Sequence, residues 1–365
     1  MADAPTPDFE HVPHPAPTPD AARDEALKDP GFGTLFTDHM VVVDYDADKG
    51  GWHQAVLGPR GPITLDPAAA VLHYAQEIFE GMKAYQQEDG AIALFRPDAN
   101  ARRFNDSARR MAMPELPEAL FLDSIRQLVA VDRKWVPTIP GGALYLRPFM
   151  FASEAFLGVR PARQYKYILI ASPVGGYFKS GAPAVKIWVA RDYVRAAKGG
   201  TGAAKTGGNY AASLVPQAQA TAKGCDQVVF LDAVERKWVE ELGGMNLFFV
   251  FDDGSVVTPP LTGTILPGIT RDSLIQLLCE EGLTVREEPY SIEQWRDDAQ
   301  SGRLLETMAC GTAAVVTPVG TVLDGDTEFT IGSGGPGQLA TKIRNRLVGV
   351  QKGTIADTHG WVTHI

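Results

Sequence analysis

Residues 198–210 read Lys-Gly-Gly-Thr-Gly-Ala-Ala-Lys-Thr-Gly-Gly-Asn-Tyr, with five glycines around Lys205. So much glycine is unfavourable inside a helix or strand, but it lets backbone amides approach another group closely. Three chemistries fit such a loop. The first is a phosphate-cradling P-loop, because 199–206 reads G-x-x-x-x-A-K-T. Against it, Ala204 stands where the tight turn needs glycine, and Gly207-Gly208 follow where a helix should open directly. The second is a glycine-rich surface loop with a solvated lysine. The third is a lysine held in a pocket, whose desolvated amine has a lowered pKa and condenses with an aldehyde.

The third chemistry asks for more than a lysine. Pyridoxal 5′-phosphate (PLP) is the prime aldehyde cofactor, and its phosphate needs an arginine and a helix N-terminus. Its ring nitrogen needs a carboxylate, and its phenolate needs a hydrogen-bond donor. Leu266-Pro-Gly-Ile-Thr-Arg271 has the form of a helix start, with amides at Ile269 and Thr270 to offer; an ordinary capped helix reads the same way. Glu240-Glu241-Leu-Gly-Gly-Met-Asn246 sets acids beside a glycine pair ahead of a strand, or is a turn with a solvated acid. Cys310-Gly-Thr-Ala313 is a small-residue turn that could donate amides and the Thr312 hydroxyl, or simply allow close packing. Arg102, Arg103, Arg109 and Arg110 share one helix pattern.

Mixed strands and helices must position these residues. Alternation and turn signals predict strands over 37–45, 92–95, 143–148, 165–171, 185–190, 227–231 and 247–251. Apolar spacing of three and four predicts a helix from Asp98 to Pro114, through Ala101, Phe104, Ala108 and Met111. Another follows over 123–135, with a stripe of Ile125, Leu128, Val129 and Asp132, and others over 210–222, 270–281, 292–301 and 339–350. The Gly- and Pro-rich stretch 173–183 marks a domain boundary. The expected division is a floppy leader at 1–20, a small domain at 21–178, a linker at 179–184 and a larger domain at 185–365. The mixture says α/β or α+β.

Composition narrows the function. Hydrophobic residues are 45% and charged residues 21% of 365, which excludes general disorder. A net charge of −10 speaks against nucleic acid and anionic membranes as partners. The three cysteines, Cys225, Cys279 and Cys310, are dispersed, which favours free thiols in a reducing compartment, and no metal site is expected. The acid-containing N-terminus lacks the apolar core of a secretory signal and the arginines of a mitochondrial leader, so the cytoplasm is expected.

Five segments occur in a distinctive order: Phe79-Glu-Gly-Met-Lys-Ala84, Leu144-Tyr-Leu-Arg-Pro148, Lys205-Thr-Gly-Gly-Asn-Tyr210, Glu241-Leu-Gly-Gly-Met-Asn246 and Ile265-Leu-Pro-Gly268. With Phe32-Gly-Thr-Leu-Phe-Thr-Asp-His-Met40, they make nearly the whole chain resemble the branched-chain-amino-acid aminotransferases of the fold type IV group of PLP enzymes. The resemblance implies a small N-terminal α/β domain, a larger C-terminal pseudo-barrel α/β domain and an active site between them.

It also implies roles. Lys205 would be the Schiff-base lysine and the base that moves a proton between Cα and the cofactor. Tyr210 would bond the phenolate, and Glu241 the pyridinium. Arg103, the amides of Ile269 and Thr270, and Thr312 would hold the phosphate. Phe32, Tyr74, Phe79, Tyr145 and Tyr177 would wall the side-chain pocket. Tyr145 and Arg147 would receive the distal carboxylate of glutamate, and Gly311-Thr312-Ala313 the α-carboxylate. Leu157 and Val159 would reach the pocket of a second copy, which implies a homodimer. The substrates would be leucine, isoleucine or valine with 2-oxoglutarate. D-amino-acid transaminases and aminodeoxychorismate lyases share the lysine and glutamate, but are not expected to share the Tyr145-x-Arg147 arrangement. Two departures stand out. Ala314 and Thr317 occupy the place of a redox-sensing C-x-x-C found in some members, and Gly244 replaces a frequent threonine.

Overall fold

The computed structural model describes residues 7–176 and 184–365. Tyr177, and all of the expected linker except Ala184, lie outside the described residues. The chain divides into two compact units. The first comprises Met1–Tyr177, Ala204–Gly207 and Val350–Ile365; the second comprises Phe178–Ala203 and Gly208–Gly349.

The first unit begins with β1 (Glu10–His11), α1 (Asp20–Ala26), β2 (His39–Asp46), β3 (Gly51–Pro59) and α2 (Ala70–Tyr74). It continues with β4 (Glu77–Phe79), β5 (Met82–Gln86), β6 (Ile92–Phe95), α3 (Pro97–Arg110), α4 (Glu118–Val131), β7 (Ala143–Ala152) and β8 (Gln164–Val174). Then come β9 (Val185–Ala190), α5 (Gly207–Ala222), β10 (Gln227–Leu231), β11 (Val239–Leu242), β12 (Asn246–Phe251) and β13 (Ser255–Thr258). They are followed by α6 (Ile269–Glu280), β14 (Thr284–Glu287), α7 (Ile292–Ser301), β15 (Leu304–Gly311), β16 (Val315–Asp324), β17 (Thr327–Thr330), α8 (Gln338–Lys352) and β18 (Val362–His364).

The first sheet runs β1-β3-β2-β8-β7-β5-β6-β18, with β4 also on β7. Two of its edges differ from the expected division. Glu10 and His11 pair with Val56 and Leu57, so part of the stretch read as a floppy leader is hydrogen-bonded to β3. At the other edge β18 pairs antiparallel with β6, which brings the C-terminal residues back to the first unit.

Strand alternation decides what each face of this sheet carries. Leu144, Leu146 and Met150 of β7 enter a core shared with Phe104 and Ala108 of α3 and with Phe121, Ile125 and Leu128 of α4. Tyr145, Arg147 and Phe149 therefore project from the opposite face. β7 continues through Pro148, where the sequence pattern predicted its end. Proline lacks an N–H, but the Pro148 carbonyl still accepts the Glu80 N–H at 2.7 Å. α4 starts directly after Pro117, earlier than residue 123, because Leu120 and Phe121 extend its buried stripe by a turn. It ends before Asp132, which is buried against His39 and accepts from its imidazole at 2.7 Å.

The second sheet is mixed, in the order β11-β10-β9-β16-β15-β12-β13-β14 with β17 on β16. Alternation again splits it. Ile187, Val189, Val229 and Leu231 join Trp295 of α7 on one face. Trp188, Ala190, Val228 and Phe230 join Ala220 of α5 on the other. α5 starts at Gly207 rather than 210, so Gly207 and Gly208 form its first turn.

Candidate active site

Lys205 sits two residues ahead of α5, in the short segment that belongs to the first unit. Its N–H donates to Ser107 Oγ of α3 at 2.9 Å, and its carbonyl accepts the Phe79 N–H at 2.9 Å. The Lys205 ammonium lies 4.8 Å from the centroid of the Phe79 ring. The Arg147 guanidinium lies 4.7 Å from that same centroid and 5.3 Å from that of Tyr145. Arg147 Nη2 donates to the Tyr145 hydroxyl at 3.0 Å, and the Phe32 and Tyr145 rings are 5.5 Å apart. Gly81 gives Tyr145 its room, since a Cβ there would collide with the hydroxyl. Lys205, Phe32, Phe79, Tyr145 and Arg147 are thus gathered in one unit. Arg147 makes no ion pair among the described residues, and its buried Nε has no hydrogen-bond acceptor there.

Arg103 is held differently. Its Nε and Nη2 donate to the two oxygens of Glu80 at 2.7 and 2.8 Å, and both side chains are buried. Asn100 Nδ2 and the Gly81 N–H also donate to Glu80, at 2.7 and 3.1 Å. Burial works to raise the Glu80 carboxyl. The charge and hydrogen bonds of Arg103, with the charge of Lys205, outweigh it and hold the group below its ordinary value. The motif around Phe79 contained Glu80 without assigning it a role. The signal was a carboxylate in an apolar strand context, which requires a cation.

Tyr74 is more peripheral. It is partly exposed and donates to the Leu157 carbonyl. Leu157 and Val159 are 64% and 88% exposed, too much for core residues.

In the second unit, Glu241 is buried on β11. It accepts the Leu266 N–H at 2.9 Å and Asn246 Nδ2 at 3.3 Å, and pairs with Arg195 Nη1 at 2.8 Å. Arg195 is itself buried and also donates to the Gly202 and Thr264 carbonyls at 3.3 and 3.0 Å. Nothing in its local sequence announced it. The neighbouring Glu240 has a different hydrogen-bond partner, Thr264. Burial raises its carboxyl, although the Thr264 hydroxyl donates to it at 2.6 Å. Tyr210 lies in the first turns of α5, beside Gly244: a Cβ added at 244 would sit 3.7 Å from the Tyr210 ring.

α6 begins at Ile269 after Gly268, with no side-chain cap. The amides of Ile269 and Thr270 therefore lack intrahelical acceptors, as at any helix N-terminus, and form an anion-attracting end. Gly311 ends β15, and Thr312 and Ala313 lie in the turn to β16. No group of His, Cys, Asp and Glu that could hold a metal occurs among the described residues. No helix among them is long and apolar enough to cross a membrane.

The profile of the family described as amino-transferase class IV matches residues 77–322, the span that holds Phe79, Arg147, Lys205, Tyr210 and Glu241. A branched-chain-amino-acid aminotransferase of Mycolicibacterium smegmatis is 58% identical over 96% of both chains. The branched-chain-amino-acid aminotransferase 2 of Bacillus subtilis is 48% identical over 92% of both. Among solved structures, the branched-chain amino acid aminotransferase of Escherichia coli superposes with a TM-score of 0.71 at 28% identity, over 89% of this chain and 98% of that one. The T.th. branched-chain amino acid aminotransferase, determined with pyridoxamine 5′-phosphate, gives 0.72 at 26% identity, over 88% and 97%. The chain belongs to the class IV aminotransferases and, within them, to the branched-chain-amino-acid aminotransferases.

Proposed function

We propose that this protein transfers the amino group of L-leucine, L-isoleucine or L-valine to 2-oxoglutarate, giving L-glutamate and a branched 2-oxo acid, with PLP as its cofactor. The observation that carries this reading is the grouping of Lys205, Phe79, Tyr145 and Arg147, which makes no ion pair among the described residues. The donor set suits the cofactor: a lysine on a tethered backbone, a buried carboxylate fixed by Arg195, and a helix end with open amides. When bound, the cofactor supplies an aldehyde and an electron-withdrawing ring.

Lys205 would hold the aldehyde through its amine, then take the proton from the substrate Cα and return it across the reacting system. In the second unit, Glu241 would pair with the ring nitrogen, and Arg195 and the Leu266 amide would orient Glu241. Tyr210 would donate to the phenolate. Arg103, oriented by Glu80, is one group for the phosphate; the amides of Ile269 and Thr270 and the Thr312 hydroxyl are others.

The side-chain site has to accept leucine in one half-reaction and glutamate in the other. Phe32, Phe79 and Tyr145 offer apolar surface for the first. Arg147, with the Tyr145 hydroxyl, offers a charge-assisted partner for the second. Gly311, Thr312 and Ala313 would bind the α-carboxylate. The exposure of Leu157 and Val159 supports a homodimer in which a partner copy covers them.

The test is the visible absorption of the cofactor-loaded protein, with Lys205→Ala alongside. L-leucine should bleach the band and 2-oxoglutarate restore it, while Lys205→Ala should lose more than about 10³-fold in turnover. A wild type without a band would sink the cofactor reading. Bleaching by D-alanine but not L-leucine would instead make the protein a D-amino-acid transaminase.

A further inference from the structure

The bonds to Ser107 and Phe79 fix the backbone of Lys205 itself, but not the two residues after it. Those are met by Glu77. Its Oε1 accepts the Gly207 N–H and, at 3.4 Å, the Thr206 hydroxyl. Glu77 and Phe79 are alternate residues of β4, so one short strand grips both ends of the segment 205–207. Gly207 opens a 16-residue helix, and its N–H, the first of that helix, has no acceptor inside it. A Cβ at position 207 would overlap Glu77 Oε1, so a larger residue there would push that carboxylate off the Gly207 N–H. Glu77 makes no salt bridge among the described residues. Burial raises its carboxyl above the ordinary value, against the bonds from Gly207 and Thr206 and the charge of Arg147.

We propose that Glu77 is a positioning residue for Lys205: by capping Gly207 and holding Thr206 it fixes the path of the backbone through 205–207, and with it the direction in which the Lys205 amine is presented. This rests on the reading of Lys205 as the catalytic lysine. Placement of a reacting group is worth a great deal, since an error of about 1 Å can cost about 10²-fold in rate.

The experiment compares full-length Glu77→Ala, Glu77→Gln and Glu77→Asp with the wild type. It measures kcat and KM for L-leucine, amide hydrogen exchange at 204–208 without cofactor, and the rate at which added PLP develops its lysine-linked band. Glu77→Ala should lower kcat by about 10- to 100-fold with little change in KM. It should also slow band formation and speed exchange of the Gly207 amide. Glu77→Gln keeps an acceptor oxygen at the same reach and should recover most of the loss. Glu77→Asp, a methylene shorter, should not. Wild-type kcat and band formation in Glu77→Ala would overturn the proposal, whatever happens to its heat stability. Equal losses in the Ala and Gln variants would overturn it too, because charge rather than placement would then be responsible. If Glu77→Ala does not fold, the contrast between Gln and Asp decides. A wild type that develops no band would refute the catalytic reading of Lys205, an outcome separate from these.

Discussion

Arg103 and Arg147 belong to the same unit, and both are tied to the strands around Phe79, yet their surroundings are opposite. Arg103 meets the buried Glu80 through two parallel hydrogen bonds, and Asn100 and the Gly81 amide fill further acceptor sites on that carboxylate. Arg147 has aromatic rings where Arg103 has a carboxylate: it lies over Phe79 and Tyr145, bonds the Tyr145 hydroxyl and makes no ion pair among the described residues. A buried charge costs little only when it is paired and hydrogen-bonded. The first arginine therefore already has a counterion in the protein, and the second has none within ion-pair distance among the described residues. The difference shows why an arginine's position in a motif does not by itself give its task.

The largest expected effect tests the matched pair. Glu80→Gln leaves the Arg103 charge buried without its counterion and should cost about 3–5 kcal/mol of folding stability, measured by urea unfolding. The same pair sets an acid limit. Because the folded-state pKa of Glu80 lies below its ordinary value of 4.5, its stabilisation is present above about 4.5 and is lost as the pH falls through the folded value. Stability measured downward from pH 5 should fall less steeply in Glu80→Gln than in the wild type. An equal slope would remove Glu80 from the account of acid sensitivity.

Arg147→Gln should behave in the reverse sense, with a small change in stability but a raised KM for 2-oxoglutarate. A lost charged hydrogen bond of about 1.5–3 kcal/mol corresponds to about 10- to 100-fold. The KM for L-leucine should move far less. Equal changes for both substrates would break the contrast between the two arginines.

The smallest effect concerns Gly244. A Cβ there meets the Tyr210 ring at ordinary contact distance, so Gly244→Ala should fold within about 0.5 kcal/mol of the wild type. A large loss would mean that the missing threonine reflects a steric demand rather than a dispensable hydroxyl.

Legibility in the sequence followed the range of the forces involved. β9, β10 and α7 have the bounds that periodicity predicted, because apolar alternation and a capping serine are local signals. The turn at Cys310–Ala313 was visible, but β15 and β16 on either side were not. Their buried stretches mix Thr, Met, Cys and Pro, and give no clean period. Pro148 misled in the same way: its missing N–H suggested a strand end, while the carbonyl it keeps pairs with the Glu80 N–H.

By itself the sequence determined the residue types of the candidate site: a lysine among glycines, acids ahead of a strand, a Pro-Gly helix start, and an arginine two residues after a tyrosine on one strand face. Those follow from local backbone chemistry and the period of two along a strand. Only the tertiary structure decided that Arg103 belongs to Glu80, that Arg195 secures Glu241 and that Glu77 caps Gly207 across a separation of 130 residues. Pairing of buried charges and open amides depends on which groups folding removes from water together, and no local pattern in the chain records that choice.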